Sequence, residues 1–389
     1  MSNPGIDDDI FQQLLDTVDR YTRERLIPAE EQVEENDEIP EEIVQEIREL
    51  GLFGISIPEE YGGIGLNMRQ ETQVLEKLCY ASLAFRSLIG TTVGIGSQGI
   101  VMDGTEEQKQ MMLPKLATGE IISSFALTEP DNGSDAAHIK TVAVRDGSDF
   151  VINGTKRYIT NASRAGMFTL LARTDPDNKG AGGVSAFLLP ADTPGIILGK
   201  TDKKMGQRGT RTCDVILENV RLPETAIIGG PENLNKGFRT AMKVLDRGRI
   251  HLSGCATGTS QRMVDLSAKY AAERQQFGVP IGQHQLVQGL LADSQVELLA
   301  MRSLTKTAAE KYDAEGSAVL EASAAKLFSS EAAGRIADRA VQIHGGAGYI
   351  AEYPVERLYR DVRLLRIYEG TTQIQQMIIA RNMLKAVAS

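Results

Sequence analysis

The sequence contains no tryptophan, three cysteines and four histidines among 389 residues. Cys79, Cys213 and Cys255 lie far apart, so their spacing provides neither a disulfide framework nor a zinc site. The histidines form no metal-binding motif such as HExxH. We therefore predict buried, reduced thiols and no metal-dependent chemistry.

Hydropathy and charge exclude further classes of protein. No apolar run approaches the ~18 residues of a membrane span, and the N-terminal "MSNPGIDDDIFQQ" lacks the features of a signal or transit peptide. The net charge is −10, and residues 1–46 carry fifteen acidic and three basic residues. No basic stripe with interleaved aromatics marks a nucleic-acid surface. We expect a cytoplasmic protein, or the mature form of a mitochondrial matrix protein, with no membrane or nucleic-acid partner.

Residue patterning divides the chain into three segments. Residues 1–120 show helical periodicity, with Thr105 at the expected start of one helix and Pro114 at its end. Residues 121–233 contain short runs rich in Val, Ile, Phe and Thr, separated by turns such as "DNGSD", which is typical of a small β-barrel or sandwich. Residues 234–389 return to helical periodicity and predict a helix bundle.

The stretch "GIGSQG" at residues 94–99 matches the GxGxxG pattern of dinucleotide-binding folds. That motif requires a preceding strand and an acidic residue at the end of a second strand. Here the glycines lie inside a helical segment. We interpret them as positions of close packing or as the small-residue wall of a pocket.

Two polar segments of the middle region could meet a ligand. Residues 125–141 run from a strand into a polar loop whose N–H groups and hydroxyls suit a phosphate or a polar ring edge. Residues 153–162 combine an expected Asn-Gly turn with a strand that carries Tyr158 and Thr160, which suit a flat cofactor. An ordinary hairpin and a core strand are the alternatives.

Two helix ends of the C-terminal segment carry glycines. In "ERQQFG", Arg274 suits a pyrophosphate, and Gly278 is the expected C-cap. In "QIHGGAGY", Gly345 and Gly346 would allow a ligand to approach the backbone. A surface salt bridge and simple helix capping are the alternatives.

One carboxylate near the C-terminus has an unusual setting. In "RIYEGTTQIQQM", Glu369 follows an apolar run and precedes a glycine, and Thr371 or Thr372 is expected to cap the next helix. The helix dipole favours an acid at this position. A carboxylate in an apolar pocket instead gains a raised pKa, which suits a base. The segment alone leaves both roles open.

Seven segments, taken in order, resemble the acyl-CoA dehydrogenase family over residues 10–385. They are "LGLFGISIPEEYGGIG", "LTEPDNGSD", "NGTKRYITN", "MGQRG" with "VILENVRLP", "ERQQFG", "QIHGGAGYIAEYPVERLYRD" and "IYEGTTQIQ". The resemblance implies an N-terminal α-helical domain (1–120), a middle β-barrel domain (121–233) and a C-terminal four-helix bundle (234–389). It also implies oxidation of an acyl-CoA thioester to the trans-2-enoyl-CoA, with FAD as cofactor.

The resemblance assigns site residues as well. Glu369 is the implied catalytic base, and Gly248 occupies the position from which some family members supply the base instead. The implied substrate contacts are Ser134, Asp246, Arg249 and Gly370. The implied FAD contacts are Phe125, Leu127, Thr128, Ser134, Tyr158, Thr160, Arg274, Gln276, Phe277, His284, Gln285, Gln342, Gly345, Gly346, Thr371 and Gln373.

The resemblance further implies a homotetramer with FAD at the subunit interface, and electron-transferring flavoprotein as the electron acceptor. Tyr158 stands where tryptophan is common in the family, and Gln276 where threonine or serine is common. Both changes keep aromatic or hydrogen-bonding character. A flavin oxidase and an inactive FAD-binding scaffold are the competing interpretations, and the intact Glu369 argues against the scaffold.

Arg86 marks a third departure from the common family pattern. Arg86 and Ser87 lie at the spacing from Gly104 that resembles the carboxylate-binding Arg-Ser pair of glutaryl-CoA dehydrogenases. The acid that accompanies that pair corresponds to Cys79 here, which weakens the match. Arg86 is therefore expected either to bind a distal carboxylate of the substrate or to form an ion pair on a helix or subunit surface.

Overall fold

The computed structural model describes residues 3–388, and its first part is helical as predicted. The α-helices of this part are α1 (Asp8–Tyr21), α2 (Ile27–Asn36), α3 (Glu41–Glu49), α4 (Met68–Leu78), α5 (Leu83–Gly90), α6 (Gln98–Asp103) and α7 (Glu106–Ala117). Thr105 begins α7 through a capping box with Gln108. The prediction that Pro114 ends this helix is wrong. Pro114 lies in the last turn, where the helix loses a single main-chain hydrogen bond and continues to Ala117.

The middle part forms one mixed sheet. Its strands are β1 (Ile122–Ala126), β2 (Val142–Asp146), β3 (Asp149–Thr160), β4 (Ala165–Arg173), β5 (Val184–Pro190), β6 (Ile196–Leu198) and β7 (Thr212–Pro223). The strand order is β1-β4-β2-β3-β7-β6, and β5 also pairs with β4. β4 runs parallel to β1 and β2, and the other pairs are antiparallel.

The expected turn at Asn153-Gly154 is absent, because β3 runs through both residues. The register with β7 shifts between Ile152 and Gly154, which indicates a β-bulge. A Cβ atom at Gly154 would lie 2.5 Å from Thr141 Oγ1. Glycine therefore allows the bulged strand to approach the loop that precedes β2.

Long helices dominate the last part of the chain. They are α8 (Gly237–Glu273), α9 (Gln285–Glu315), α10 (Val319–His344), α11 (Pro354–Val362) and α12 (Thr372–Ala388). Two short strands, β8 (Gln275–Gln276) and β9 (Val279–Pro280), form a hairpin between α8 and α9. Gly278 lies in this hairpin with a positive φ, so it is not the C-cap of α8, which is Arg274.

Apolar contacts join the three parts. One buried cluster contains Leu113 of α7, Leu171 of β4 and Ala241 of α8. The 94–99 segment is helical and packs against β1, where a Cβ at Gly96 would lie 2.0 Å from Ser123 Oγ. Gly96 therefore serves close packing, one of the two interpretations made from the sequence, whereas a Cβ atom at Gly94 or Gly99 would make only ordinary contacts. The predicted fold class is confirmed, and the domain boundaries stay our proposal. Within residues 3–388, no helix is long and apolar enough to cross a membrane.

Candidate active site

A cavity of about 770 Å³ opens where α5, the sheet, α8 and the turn before α12 meet. Most of its wall is apolar, and a few polar and charged groups converge on it, which is typical of a ligand site. The predicted site residues in its wall are Arg86, Phe125, Leu127, Thr128, Ser134, Tyr158, Thr160, Arg249, Glu369 and Gly370. The fold thus brings together residues that are as much as 284 positions apart.

Glu369 lines this cavity from the turn before α12. Its φ of +52° is left-handed, a conformation that is uncommon for non-glycine residues. Its Oε2 atom is buried and has no hydrogen-bond partner among the described residues. Burial raises the pKa of Glu369, although Arg86 and other nearby cations oppose the shift. A carboxylate in this state is suited to accept a proton.

Glu369 does not cap α12. The helix begins at Thr372, and Thr371 caps it by accepting a hydrogen bond from the N–H of Ile374 at 3.3 Å. The carboxylate lies instead beside α8. A Cβ atom at Gly248 would lie 2.3 Å from Glu369 Oε2. Glycine at this position therefore leaves the space that the carboxylate occupies.

Three side chains hold the backbone of the Glu369 turn. Gln375 Nε2 donates to the carbonyls of Glu369 and Gly370 at 3.1 and 3.0 Å. Lys326 Nζ donates to the carbonyl of Gly370 at 2.6 Å. Arg249 Nε donates to the carbonyl of Glu369 at 3.4 Å. Lys326 is buried, which lowers its pKa to about 8, and its cation faces Glu369.

One wall of the cavity suits a flat ring with polar edges. Phe125 and Leu127 supply apolar surface, and Thr128 and Thr160 supply hydroxyls. Tyr158 is 59% exposed and has a positive φ, so its aromatic ring is available for contact. An apolar surface flanked by hydroxyl donors and an accessible aromatic ring is an environment that suits an isoalloxazine ring. The residues present therefore fit FAD.

A buried ion pair supports this wall from behind. Lys156 Nζ donates to Glu129 Oε1 at 2.8 Å and to the carbonyl of Leu127 at 3.1 Å. Glu129 also accepts from the N–H groups of Lys140 and Thr141 at 2.5 and 2.9 Å. Glu129 thus ties the two ends of the polar 128–141 loop together and fixes the loop against β3.

Arg86 lies in the opposite wall, on α5. Its side chain is buried, and Nε donates to His251 Nε2 at 2.9 Å. The alternative of a surface ion pair is therefore wrong, because no carboxylate lies within salt-bridge distance of its guanidinium among the described residues. Ser87, its neighbour, donates to Gln207 Oε1 at 2.9 Å. Arg86 thus presents a cation to the cavity.

The other predicted contacts do not reach the cavity wall. They are Asp246, Arg274, Gln276, Phe277, His284, Gln285, Gln342, Gly345, Gly346, Thr371 and Gln373. Asp246 pairs with Arg249 on α8. Phe277 is 93% exposed, and its ring contacts His284 edge-on at 5.8 Å between centroids. Ile281, directly after the β8–β9 hairpin, and Ile343 at the end of α10 share a small apolar cluster, so the two segments form a second surface of the protomer.

Several residues that shape the cavity or the base turn were not predicted from the sequence. They are Glu71, Lys326, Gln207, His251, Tyr368 and Gln375. Lys326 had a detectable signal: it lies on the buried face of α10 between the small residues Ala322 and Ser329. A lysine at such a position requires a partner for its charge. His251 and Glu71 are far apart in sequence, and no pattern pairs them.

Comparison with known proteins assigns the chain to a family. Models of the acyl-CoA dehydrogenase N-terminal, middle and C-terminal domains match residues 9–120, 124–220 and 235–384. The chain belongs to the acyl-CoA dehydrogenase family. It is an FAD-dependent oxidoreductase, as the resemblance implied.

Relatives within the acyl-CoA dehydrogenase family span nearly the whole chain. The caffeyl-CoA reductase-Etf complex subunit CarC of Acetobacterium woodii is 40% identical over 355 residues, which cover 91% of this chain and 93% of that protein. Butyryl-CoA dehydrogenase of Megasphaera elsdenii is 32% identical, with a TM-score of 0.93 over 98% of this chain and 99% of that chain. Glutaryl-CoA dehydrogenase of Mycobacterium smegmatis is also 32% identical, with a TM-score of 0.90 over 97% and 95% of the two chains.

Proposed function

We propose that this acyl-CoA dehydrogenase oxidises an acyl-CoA thioester to the trans-2-enoyl-CoA with Glu369 as the base. The observation that supports this role is the buried Oε2 of Glu369, which lacks a hydrogen-bond partner in a residue that lines the cavity. Its carboxylate removes the α-proton of the thioester and becomes a carboxylic acid. Phe125, Leu127, Thr128, Tyr158 and Thr160 would hold the FAD, which would supply the acceptor for the hydride of the β-carbon.

The surrounding residues prepare Glu369 for this step. The apolar wall keeps water from the carboxylate, and the raised pKa brings its proton affinity closer to that of the weakly acidic α-carbon. Gln375, Lys326 and Arg249 fix the turn, so the carboxylate does not have to reorient during proton transfer. Gly370, without a side chain, leaves room for the thioester.

The substitution Glu369→Gln tests this assignment. It keeps the shape of the side chain and removes the basic oxygen. We expect the variant to retain FAD and to bind butyryl-CoA. The rate of flavin reduction, measured by absorbance after rapid mixing, should fall by about 10²–10⁴-fold. Glu369→Asp, which keeps a base at a shorter reach, should lose less activity. Flavin reduction by Glu369→Gln at the wild-type rate would refute the assignment.

The physiological assembly is part of the same proposal. The second surface, formed by residues 274–285 and 342–346, would contact the FAD of a neighbouring subunit in a homotetramer. Its exposed Phe277 and the neighbouring exposed Leu286 support burial by another subunit. We propose electron-transferring flavoprotein as the acceptor, since the A. woodii relative is named as a subunit of a complex with Etf. Rapid reaction of the reduced enzyme with oxygen would favour an oxidase instead.

A specific observation favours a second candidate function, in which the substrate is an acyl-CoA with a distal carboxylate, such as glutaryl-CoA. Decarboxylation would follow the oxidation of this substrate. Arg86 is buried in the same cavity as Glu369, and its Nη groups have no hydrogen-bond partner among the described residues. A buried cation without a partner destabilises the protein unless an anion reaches it. A carboxylate on the acyl chain would supply that anion through two parallel hydrogen bonds.

Steady-state kinetics with glutaryl-, butyryl-, octanoyl- and isovaleryl-CoA test this candidate. We expect kcat/KM to be highest for glutaryl-CoA. Arg86→Ala should reduce kcat/KM for glutaryl-CoA by about 10²-fold or more, because the buried carboxylate of the substrate loses its partner. The same variant should change the value for butyryl-CoA far less. Equal effects of Arg86→Ala on the two substrates would eliminate this candidate, and measured CO₂ release shows whether decarboxylation follows oxidation.

A further inference from the structure

Arg86 is held in one orientation by its own helix. Its guanidinium folds back along α5 and lies against Gly90, where an added Cβ atom would be 2.8 Å from Arg86 Cζ. The side chain is only 5% exposed. The glycine therefore provides a slot for the guanidinium plane, and Arg86 lines the cavity with neither Nη group paired among the described residues.

His251 on α8 closes this slot from the other side. Arginine can only donate hydrogen bonds, so His251 Nε2 must accept from Arg86 Nε. The ring proton then resides on Nδ1, which lies 2.6 Å from Glu71 Oε1 and donates to it. Against burial and the Arg86 cation, which lower it, Cys255 and Glu71 raise the pKa of His251. The hydrogen bond from Arg86 nevertheless requires an Nε2 atom without a proton, so the imidazole is neutral in this contact, and its two partners fix both its tautomer and its orientation.

Glu71 on α4 anchors the far end of this chain of contacts. Both of its oxygens accept from Arg247, so its charge is compensated without His251. His251 and Glu71 are fully buried, and Arg247 is nearly so. The group of Arg86, His251, Glu71 and Arg247 therefore carries one uncompensated positive charge, and that charge is on Arg86 at the cavity wall.

The neutrality of His251 has a consequence for binding. A carboxylate in its place would orient Arg86 equally well, but it would also neutralise the guanidinium and weaken its attraction for a ligand. A neutral acceptor fixes the guanidinium plane and leaves its charge available. A fixed plane loses less conformational entropy when it forms two parallel hydrogen bonds with a carboxylate.

We propose that His251 is a positioning residue that orients Arg86 to bind a distal carboxylate of the acyl chain. This inference rests on the proposed glutaryl-type substrate. His251 makes no contact with the reacting carbon atoms, and it acts through Arg86 alone. It follows that His251 should affect acyl chains that end in a carboxylate and leave neutral chains of equal length unaffected.

Calorimetric titration of the Glu369→Gln holoenzyme separates binding from turnover. The ligands are glutaryl-CoA and pentanoyl-CoA, which have acyl chains of equal length. His251→Leu removes the acceptor while Glu71 keeps Arg247 as its partner. We expect it to weaken glutaryl-CoA binding at least tenfold and to change pentanoyl-CoA binding less than twofold. His251→Gln, which offers an amide oxygen near the position of Nε2, should restore most of the loss.

Arg86→Met is the companion variant. In the Arg86→Met background, His251→Leu should have no further effect on glutaryl-CoA binding, since His251 acts only through Arg86. If Arg86→Met leaves the glutaryl-CoA Kd unchanged, the proposed substrate class and this inference both fail. If Arg86→Met weakens binding but His251→Leu does not, or if His251→Leu weakens both ligands equally, only the role of His251 is overturned. FAD content and Tm confirm that each variant is folded.

Discussion

The contact between Gly248 and Glu369 predicts a large effect of a single methyl group. Gly248→Ala would place a Cβ atom 2.3 Å from Glu369 Oε2 and 3.2 Å from its Cδ. An optimal nonbonded separation is about 3.5 Å, so the carboxylate must move by about 1 Å. Gly248 lies in the middle of α8, which the rest of the bundle holds on several sides. The more mobile Glu369 side chain is therefore expected to move.

A displacement of about 1 Å at a reacting group lowers the rate by ~10²-fold. We therefore expect Gly248→Ala to reduce the rate of flavin reduction by about 100-fold. Stability should not fall, because alanine is favoured over glycine in a helix by about 1 kcal/mol. Binding of FAD and of acyl-CoA should also stay close to wild type, since Glu369 is the group that moves.

Rapid mixing of the Gly248→Ala holoenzyme with butyryl-CoA measures this rate directly. Gly289→Ala on α9 is the matched control, because its Cβ atom would have no neighbour within 4 Å. Glu369→Asp shortens the base and relieves the contact, so Gly248→Ala should have little further effect in that background. A rate for Gly248→Ala within about threefold of wild type would refute the steric argument.

Two further predictions concern the buried lysines. Lys326→Met removes a cation that faces Glu369, so the pKa of Glu369 should rise further. The acid limb of the pH profile of kcat, where this carboxylate becomes protonated, should therefore move to higher pH. Lys306→Met, at an exposed lysine, serves as the control. An unchanged acid limb in Lys326→Met would contradict the effect of Lys326 on the pKa of Glu369. Glu129→Gln leaves Lys156 buried without its carboxylate and should destabilise the middle domain by about 3 kcal/mol and speed FAD release. Asp131→Asn, in an exposed pair on the same loop, should change Tm little; an equal shift for both variants would argue against the buried pair.

Several features of the fold followed from local pattern, and the exceptions have local causes. The capping residue Thr105 was recognised because a helix start depends on a few consecutive residues. Pro114 misled the prediction of a helix end, since proline is tolerated in a last turn. Asn153-Gly154 misled the prediction of a turn, because the same dipeptide also suits a bulge within a long strand.

The candidate site divides in the same way. The motif residues Phe125, Tyr158, Thr160 and Glu369 were identified from short segments, and the fold places all four at one cavity. The sequence predicted Thr371 or Thr372 as the helix cap, and the structure confirms Thr371. The sequence left Glu369 between an acid favoured by the helix dipole and a base, and the position of the carboxylate beside Gly248 of α8 favours the base. The sequence also left Arg86 between a surface ion pair and a pocket residue, and only its burial beside His251 decides between them.

The sequence itself determines the order of helical, β and helical segments, the family and the identity of the proposed base. Periodicity and contiguous motifs are local properties of the chain and can be recognised without the fold. The burial of Glu369, its contact with Gly248 and the path from Arg247 through Glu71 and His251 to Arg86 were decided by tertiary structure. These contacts join α4, α5, α8 and the turn before α12. A buried charge acquires its pKa and its orientation from neighbours that only folding brings within a few ångströms.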